Sequence, residues 1–407
     1  MKKTLTLFAI IFGFIGIIAA QTANQPLYYQ GETDSLYSEI LKENRKFHIY
    51  NPQSTRMLKM GDHEYPVLYL LDGNSSFAMI SQIINWLSTD AVPPMIIVGI
   101  LNTNRTRDFT PTHVTEDPTG FDVSQSGGGE AFLDFIEKEL MPHIDKNYKT
   151  TPYRTFIGHS LGGLLSGHAL ATRPHLFKNF LSLDPTSIWD EGVLIRKLKE
   201  AGQNGNFSGK GYFLGVADPE PTGQARVDSL LDVFRFHNRQ LADYLKQSED
   251  LNFLFKNYPQ ASHGDMVVPG IYDGLKFLFS WYAELQFEMI TSADPFFSKH
   301  LSTQELSERI NDIHLKLSSH FGYDVKPNED LINSLGYWSM QAGEMDKSKL
   351  FFEMNVNNYP ESANVYDSMG DYFVAAENKE EAIRFFMEAL KRDDNVHTQK
   401  KLAELQE

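Results

Sequence analysis

Thr155-Phe-Ile-Gly-His-Ser160-Leu-Gly-Gly163 closes a short apolar run with the pentapeptide Gly158-His159-Ser160-Leu161-Gly162, and a small-residue, helix-compatible run follows from Gly163 to Ala171. A G-x-S-x-G motif between a strand and a helix is the arrangement of a nucleophile elbow, in which a sharp turn strains the serine backbone and projects its hydroxyl from the top of a sheet. The flanking glycines let strand and helix approach without a Cβ clash. Glycine and serine are common in any loop, so the flanking strand and helix carry the reading.

Working outward, residues from about Leu36 to Leu285 alternate short β-type runs with longer helix-compatible segments, the signature of an α/β sheet. The runs are Lys46–Tyr50, Val67–Leu71, Met95–Ile100, Thr155–Gly158, Phe180–Leu183, Gly211–Val216 and Leu251–Tyr258. Several are almost wholly apolar, which predicts mostly parallel strands covered by helices on both faces. Ser76–Ser88, Glu130–Asp145 and Ser229–Lys246 are the clearest helices. This pattern defines one α/β domain over residues 36–290.

A serine hydroxyl needs a base, and the base needs a third group to fix its tautomer. After an elbow serine these follow in the order acid, then histidine. His263 sits in a Ser262-His263-Gly264 loop after the run Leu251–Tyr258, a position from which an imidazole reaches back over the sheet. Gly211–Ala217 ends in Asp218-Pro219-Glu220, which makes Asp218 the expected acid and Glu220 its alternative. Asp184, in Leu183-Asp184-Pro185, lies one strand too early for that order and reads as a pocket-shaping or turn residue. The oxyanion donors are expected at the Leu161 amide, next to the nucleophile, and at Asn74, in the loop after Tyr65–Leu71.

The last ~80 residues repeat, at a period within the range of helical arrays. Leu335-Gly336-Tyr337-Trp338 recurs as Met369-Gly370-Asp371-Tyr372, an offset of 34 residues, and Phe351-Phe352 match Phe385-Phe386. The expectation is a small all-α helical-repeat region over 297–407, with units at about 331–364 and 365–398. The unit resembles the tetratricopeptide repeat, which implies a stabilising cap or a surface for a protein partner or dimer.

At the other end, Lys2-Lys3, an apolar run from Leu5 to Ile18 and Ala19-Ala20 read as a signal peptide over 1–20, with a polar lead-in at 21–35. Export without a single cysteine fits a bacterial periplasmic or extracellular enzyme whose core needs no disulfide. The net charge of −16 argues against nucleic acid and anionic membrane surfaces as partners. With no H-E-x-x-H motif and no cysteine ligands, the sequence implies no metal and no organic cofactor.

Taken together, Tyr65-Pro-Val-Leu-Tyr-Leu-Leu-Asp-Gly73, Gly158-His-Ser-Leu-Gly-Gly163 and the Ser262-His263-Gly264 loop resemble the Putative esterase family, which includes esterase D, feruloyl esterases and ferric enterobactin esterases. The resemblance covers about residues 36–285 and implies an α/β-hydrolase fold, a serine nucleophile and an oxyanion amide at Asn74. Many members carry Ser-Pro-Ser-hydrophobic-Trp where this chain has Asp184-Pro-Thr-Ser-Ile-Trp189, so Trp189 and Asp184 are expected at the substrate. Arg107-Asp108-Phe-Thr-Pro111 resembles a family stretch expected to line the cleft. The implied activity is cleavage of carboxylic esters through an acyl-enzyme, on feruloyl or acetyl polysaccharide esters or siderophore esters. An acyltransferase using the same residues and a degenerate binding protein using the repeat tail are the alternatives.

Overall fold

Among the described residues, eight strands build one sheet: β1 (Glu32–Ser38), β2 (Glu43–Tyr50), β3 (Tyr65–Leu70), β4 (Ile96–Ile100), β5 (Thr150–His159), β6 (Asn179–Leu183), β7 (Lys210–Asp218) and β8 (Leu251–Pro259). Their order is β1-β2-β4-β3-β5-β6-β7-β8, with β1, β2 and β4 joined antiparallel and every pairing from β4 to β8 parallel. The computed structural model describes residues 31–52, 64–116, 122–205, 207–295 and 298–407, so the expected signal segment 1–20 lies outside the described residues. β3, β4 and β6 are buried along their whole length, as strands sandwiched between helical layers must be. β8, at the sheet edge, alternates instead.

Between the strands run α1 (Gly73–Leu87), α2 (Arg105–Phe109), α3 (Gly129–Phe135), α4 (Met141–Asn147), α5 (Leu161–Thr172), α6 (Trp189–Gln203), α7 (Ala225–Leu245) and α8 (Val267–Leu278). The helix expected over Glu130–Asp145 is α3 and α4 joined by a π-helical turn at Ile136–Leu140. The lead-in expected over 21–35 needs correction at its end, because Glu32–Ser35 belong to β1. That strand pairs with β2, with Glu32 opposite Ile49. Its side chains are mostly exposed, so the sequence shows none of the apolar alternation that marks a half-buried strand.

The chain continues through α9 (Ser280–Ala293) and α10 (Thr303–Phe321) into two helical hairpins. These are α11 (Glu329–Gln341) with α12 (Met345–Asn358), and α13 (Ala363–Ala375) with α14 (Lys379–Leu390), followed by α15 (Val396–Gln406). The hairpins close on matching contacts: a Cβ at Gly336 would lie 2.5 Å from the Phe352 ring, and one at Gly370 would lie 2.4 Å from the Phe386 ring. Tyr337 donates to Asp371 (2.8 Å) across the hairpins, and Lys401 from α15 reaches both Asp367 (2.6 Å) and Asp371 (2.7 Å). α10 joins this region to the sheet. Its Phe321 ring meets Tyr153 of β5 at 5.1 Å, and His320 stacks on Trp281 of α9 at 4.4 Å, nearly parallel.

Candidate active site

The elbow is built as its motif demands. Ser160 has φ 61 and ψ −120, which L-residues rarely adopt. A Cβ at Gly158 would sit 2.1 Å from Gly162 O, so only glycine fits there; at Gly162 the nearest neighbour, Leu71, would be in ordinary contact at 3.4 Å. α5 begins at Leu161, whose amide therefore has no intrahelical acceptor and is free to donate. Asn74 is exposed in the first turn of α1, with an amide in the same condition. The preceding Asp72 adopts the left-handed conformation (φ 56), and its carboxylate approaches Gly162. The loop after β3 and the elbow are thus neighbours.

His263 is half exposed, and its Nδ1 lies 2.6 Å from Asp184 Oδ2. The expectation of Asp218 as the partner acid is therefore corrected. Asp218 forms an ion pair with Arg235 Nε (2.8 Å) and accepts from Asn257 Nδ2 (2.7 Å). Glu220 is exposed, with Gln260 Nε2 at 3.3 Å. Asp184, read from sequence as a turn residue, has φ 40, and its other oxygen accepts from the Ala217 amide (3.2 Å). The cause lies in the sheet. Ser160 N bonds Leu183 O (2.9 Å), which fixes the end of β6 beside Ser160, while the end of β7 lies one strand farther out. The Ser160 hydroxyl itself stands 3.5 Å from Thr186 Oγ1 rather than hydrogen-bonded to His263.

A polar chain with no local signal in the sequence ties these loops together. Asp72 accepts from Asn102 Nδ2 (2.6 Å) and from Arg105 Nε (2.7 Å) and Nη2 (3.0 Å). Arg105 also donates to His159 O (3.1 Å), the carbonyl before the nucleophile. His159 in turn places Nε2 2.9 Å from His263 O, with the two imidazoles 4.3 Å apart. Burial, and then the nearby His263, push the His159 pKa down to about 4. The ring is therefore neutral near pH 7, and its Nε2–H donates to the His263 carbonyl.

Ser160, Leu161, Asp184, Thr186, Trp189 and His263 open into one cleft of about 670 Å³. Trp189 contributes to its wall, with Nε1 donating to Thr112 O (3.2 Å). The stretch Arg107–Pro111, expected to line the cleft, does so only through the adjoining Arg105 and Thr106. Asp108 is instead buried between Arg45 (2.6 Å) and Arg107 (2.7 Å). Among the described residues, no group of three or more His, Asp or Glu side chains is placed to hold a metal ion.

Comparison with known proteins agrees with this architecture. Residues 38–223 match the Putative esterase family. The crystal structure of an IroE-like serine hydrolase from Shewanella oneidensis superposes with a TM-score of 0.63 at 30% identity, covering 80% of this chain and 99% of that one. The ferri-bacillibactin esterase of Bacillus subtilis is 36% identical over 172 residues, 38% of this chain and 58% of the relative. The siderophore triacetylfusarinine C esterase of Aspergillus fumigatus is 31% identical over 147 residues, 33% of this chain and 48% of the relative. The chain thus spans about half the length of these two curated relatives. These likenesses agree with a mostly parallel α/β sheet that carries a serine at its elbow. Within residues 38–223 the chain resembles the Putative esterase family.

Proposed function

We propose that the protein is a serine esterase in which Ser160, His263 and Asp184 act as a triad. Ser160 Oγ attacks the ester carbonyl while its proton passes to His263 Nε2. The tetrahedral intermediate collapses as the C–O bond to the alcohol breaks, and the imidazolium returns that proton to the departing oxygen. Water repeats the sequence on the acyl-enzyme and restores Ser160. Asp184 holds Nδ1–H and stabilises the imidazolium, while the Leu161 and Asn74 amides receive the oxyanion.

The observation that carries this reading is the 2.6 Å His263–Asp184 contact in the cleft opened by Ser160. The named substrates of the curated relatives favour siderophore esters over polysaccharide esters. The reading extends to the remaining segments: residues 1–20 act as an export signal, and the two hairpins are a short tetratricopeptide-like array capping the enzyme.

The test is labelling of the folded chain by a fluorophosphonate, with Ser160→Ala as control, followed by turnover of a catecholate siderophore, methyl ferulate and acetylated xylan. Labelling lost in Ser160→Ala is the expected outcome. No labelling of folded wild-type protein would reduce the molecule to a binding protein, and acyl transfer to an added alcohol in preference to water would make it a transferase.

A further inference from the structure

We propose that the cleft beneath the first half of α7 is a subsite for an uncharged apolar acyl group, an inference that rests on the esterase reading of Ser160. Its wall consists of Trp189, Val216, Ala217, Leu230, Leu231 and Phe234. Trp189, Val216 and Ala217 are buried and belong to the rigid floor of the molecule. Leu230, Leu231 and Phe234 come from one face of α7 and remain only partly covered.

α7 is anchored at one end. All its fully buried residues, Asn238, Leu241, Ala242 and Leu245, lie beyond residue 237. The preceding three turns place Leu230, Leu231 and Phe234 at the cleft wall, none of them fully buried. Filling such a concave apolar surface with an apolar ligand removes both surfaces from water.

The charges at the cleft do not offer a site for an anion. The Arg105 guanidinium is committed to Asp72 and the His159 carbonyl, and that of Arg235 to Asp218 and the Pro219 carbonyl. Asp122 and Asp184, the acidic side chains of the lining, would repel one.

Direction follows from the proton path. The alcohol must leave past His263, which protonates it and whose side chain is 51% exposed. The acyl group is therefore the half of the ester that faces inward, toward Trp189 and α7. Charged parts of a larger substrate stay outside, on the alcohol side.

The experiment uses the full chain and p-nitrophenyl esters of acetate, butyrate, octanoate and succinate. The expected kcat/KM rises roughly fourfold per methylene until the cleft is filled, and the anionic hemisuccinate falls below the butyrate. Phe234→Ala should lower the octanoate-to-acetate selectivity ratio about ten- to hundredfold, and Leu231→Glu should lower it further. A flat chain-length profile overturns the subsite. So does a ratio unmoved by both variants, or chain-length dependence that appears only when the alcohol is lengthened and the acetyl group kept. Absence of turnover and of fluorophosphonate labelling in folded wild-type protein would instead remove the esterase reading, and the subsite with it.

Discussion

Asp184 and Asp218 end neighbouring parallel strands, and each is followed by proline. Locally they are the same motif, yet their surroundings differ entirely. Asp184 is nearly buried, takes a left-handed backbone and offers its two oxygens to the Ala217 amide and the His263 imidazole. Asp218, more exposed, is occupied by Arg235 and Asn257. The lesson is that the aspartate facing His263 follows the strand whose end is fixed against the elbow, through the Ser160 N to Leu183 O bond, and not the strand expected from counting between serine and histidine.

The contrast can be attacked directly. Ser160→Ala sets the floor, with kcat on a nitrophenyl ester down about 10⁶-fold. Asp184→Asn should cost about 10⁴-fold in kcat, because the amide favours the wrong His263 tautomer, while Asp218→Asn should cost less than about tenfold. The reverse ranking in steady-state assays would restore Asp218 as the acid. Arg105→Lys loses the two-pronged grip on Asp72 and should lower kcat about 10²-fold through misplacement of the oxyanion loop, with circular dichroism unchanged.

The smallest effect concerns the acid sensitivity of the fold. Burial holds His159 and His314 down to about 4, from an ordinary 6.5. Between those values the unfolded chain binds protons that the folded chain does not, so stability falls as pH drops from 6.5 to 4 and is constant above that window as far as these rings are concerned. Urea midpoints at pH 7.5 and pH 5 should therefore draw closer together in His314→Leu. An unchanged gap would show that the His314 ring is not responsible.

What the sequence made legible was whatever a local pattern encodes. The G-x-S-x-G elbow, the Ser-His-Gly loop and the nearly continuous apolar runs of β3, β4 and β6 all depend on neighbours in the chain. The 34-residue offset between Leu335–Trp338 and Met369–Tyr372 is likewise internal to the sequence, and at Gly336 and Gly370 a facing ring leaves no room for a Cβ. What escaped depends on partners distant in the chain. β1 is a strand only because β2 lies beside it, and its exposed side chains leave no trace of that. The choice of acid and the Asp72–Arg105–His159 chain are set by register and loop packing. Left-handed backbones at Asp72, Ser160 and Asp184 mark the site in three dimensions, whereas in sequence an aspartate before a proline or glycine suits any turn.

The near-parallel stack of Trp281 on His320 has a spectroscopic consequence. An indole held face to face with an imidazole is quenched by it, and here one ring belongs to α9 and the other to α10, the helix that seats the C-terminal hairpins against β5. Trp281 is therefore an optical gauge of that seating. Its emission would brighten and shift to the red as α10 lifts off, whether or not the eight-stranded sheet has lost any of its own structure.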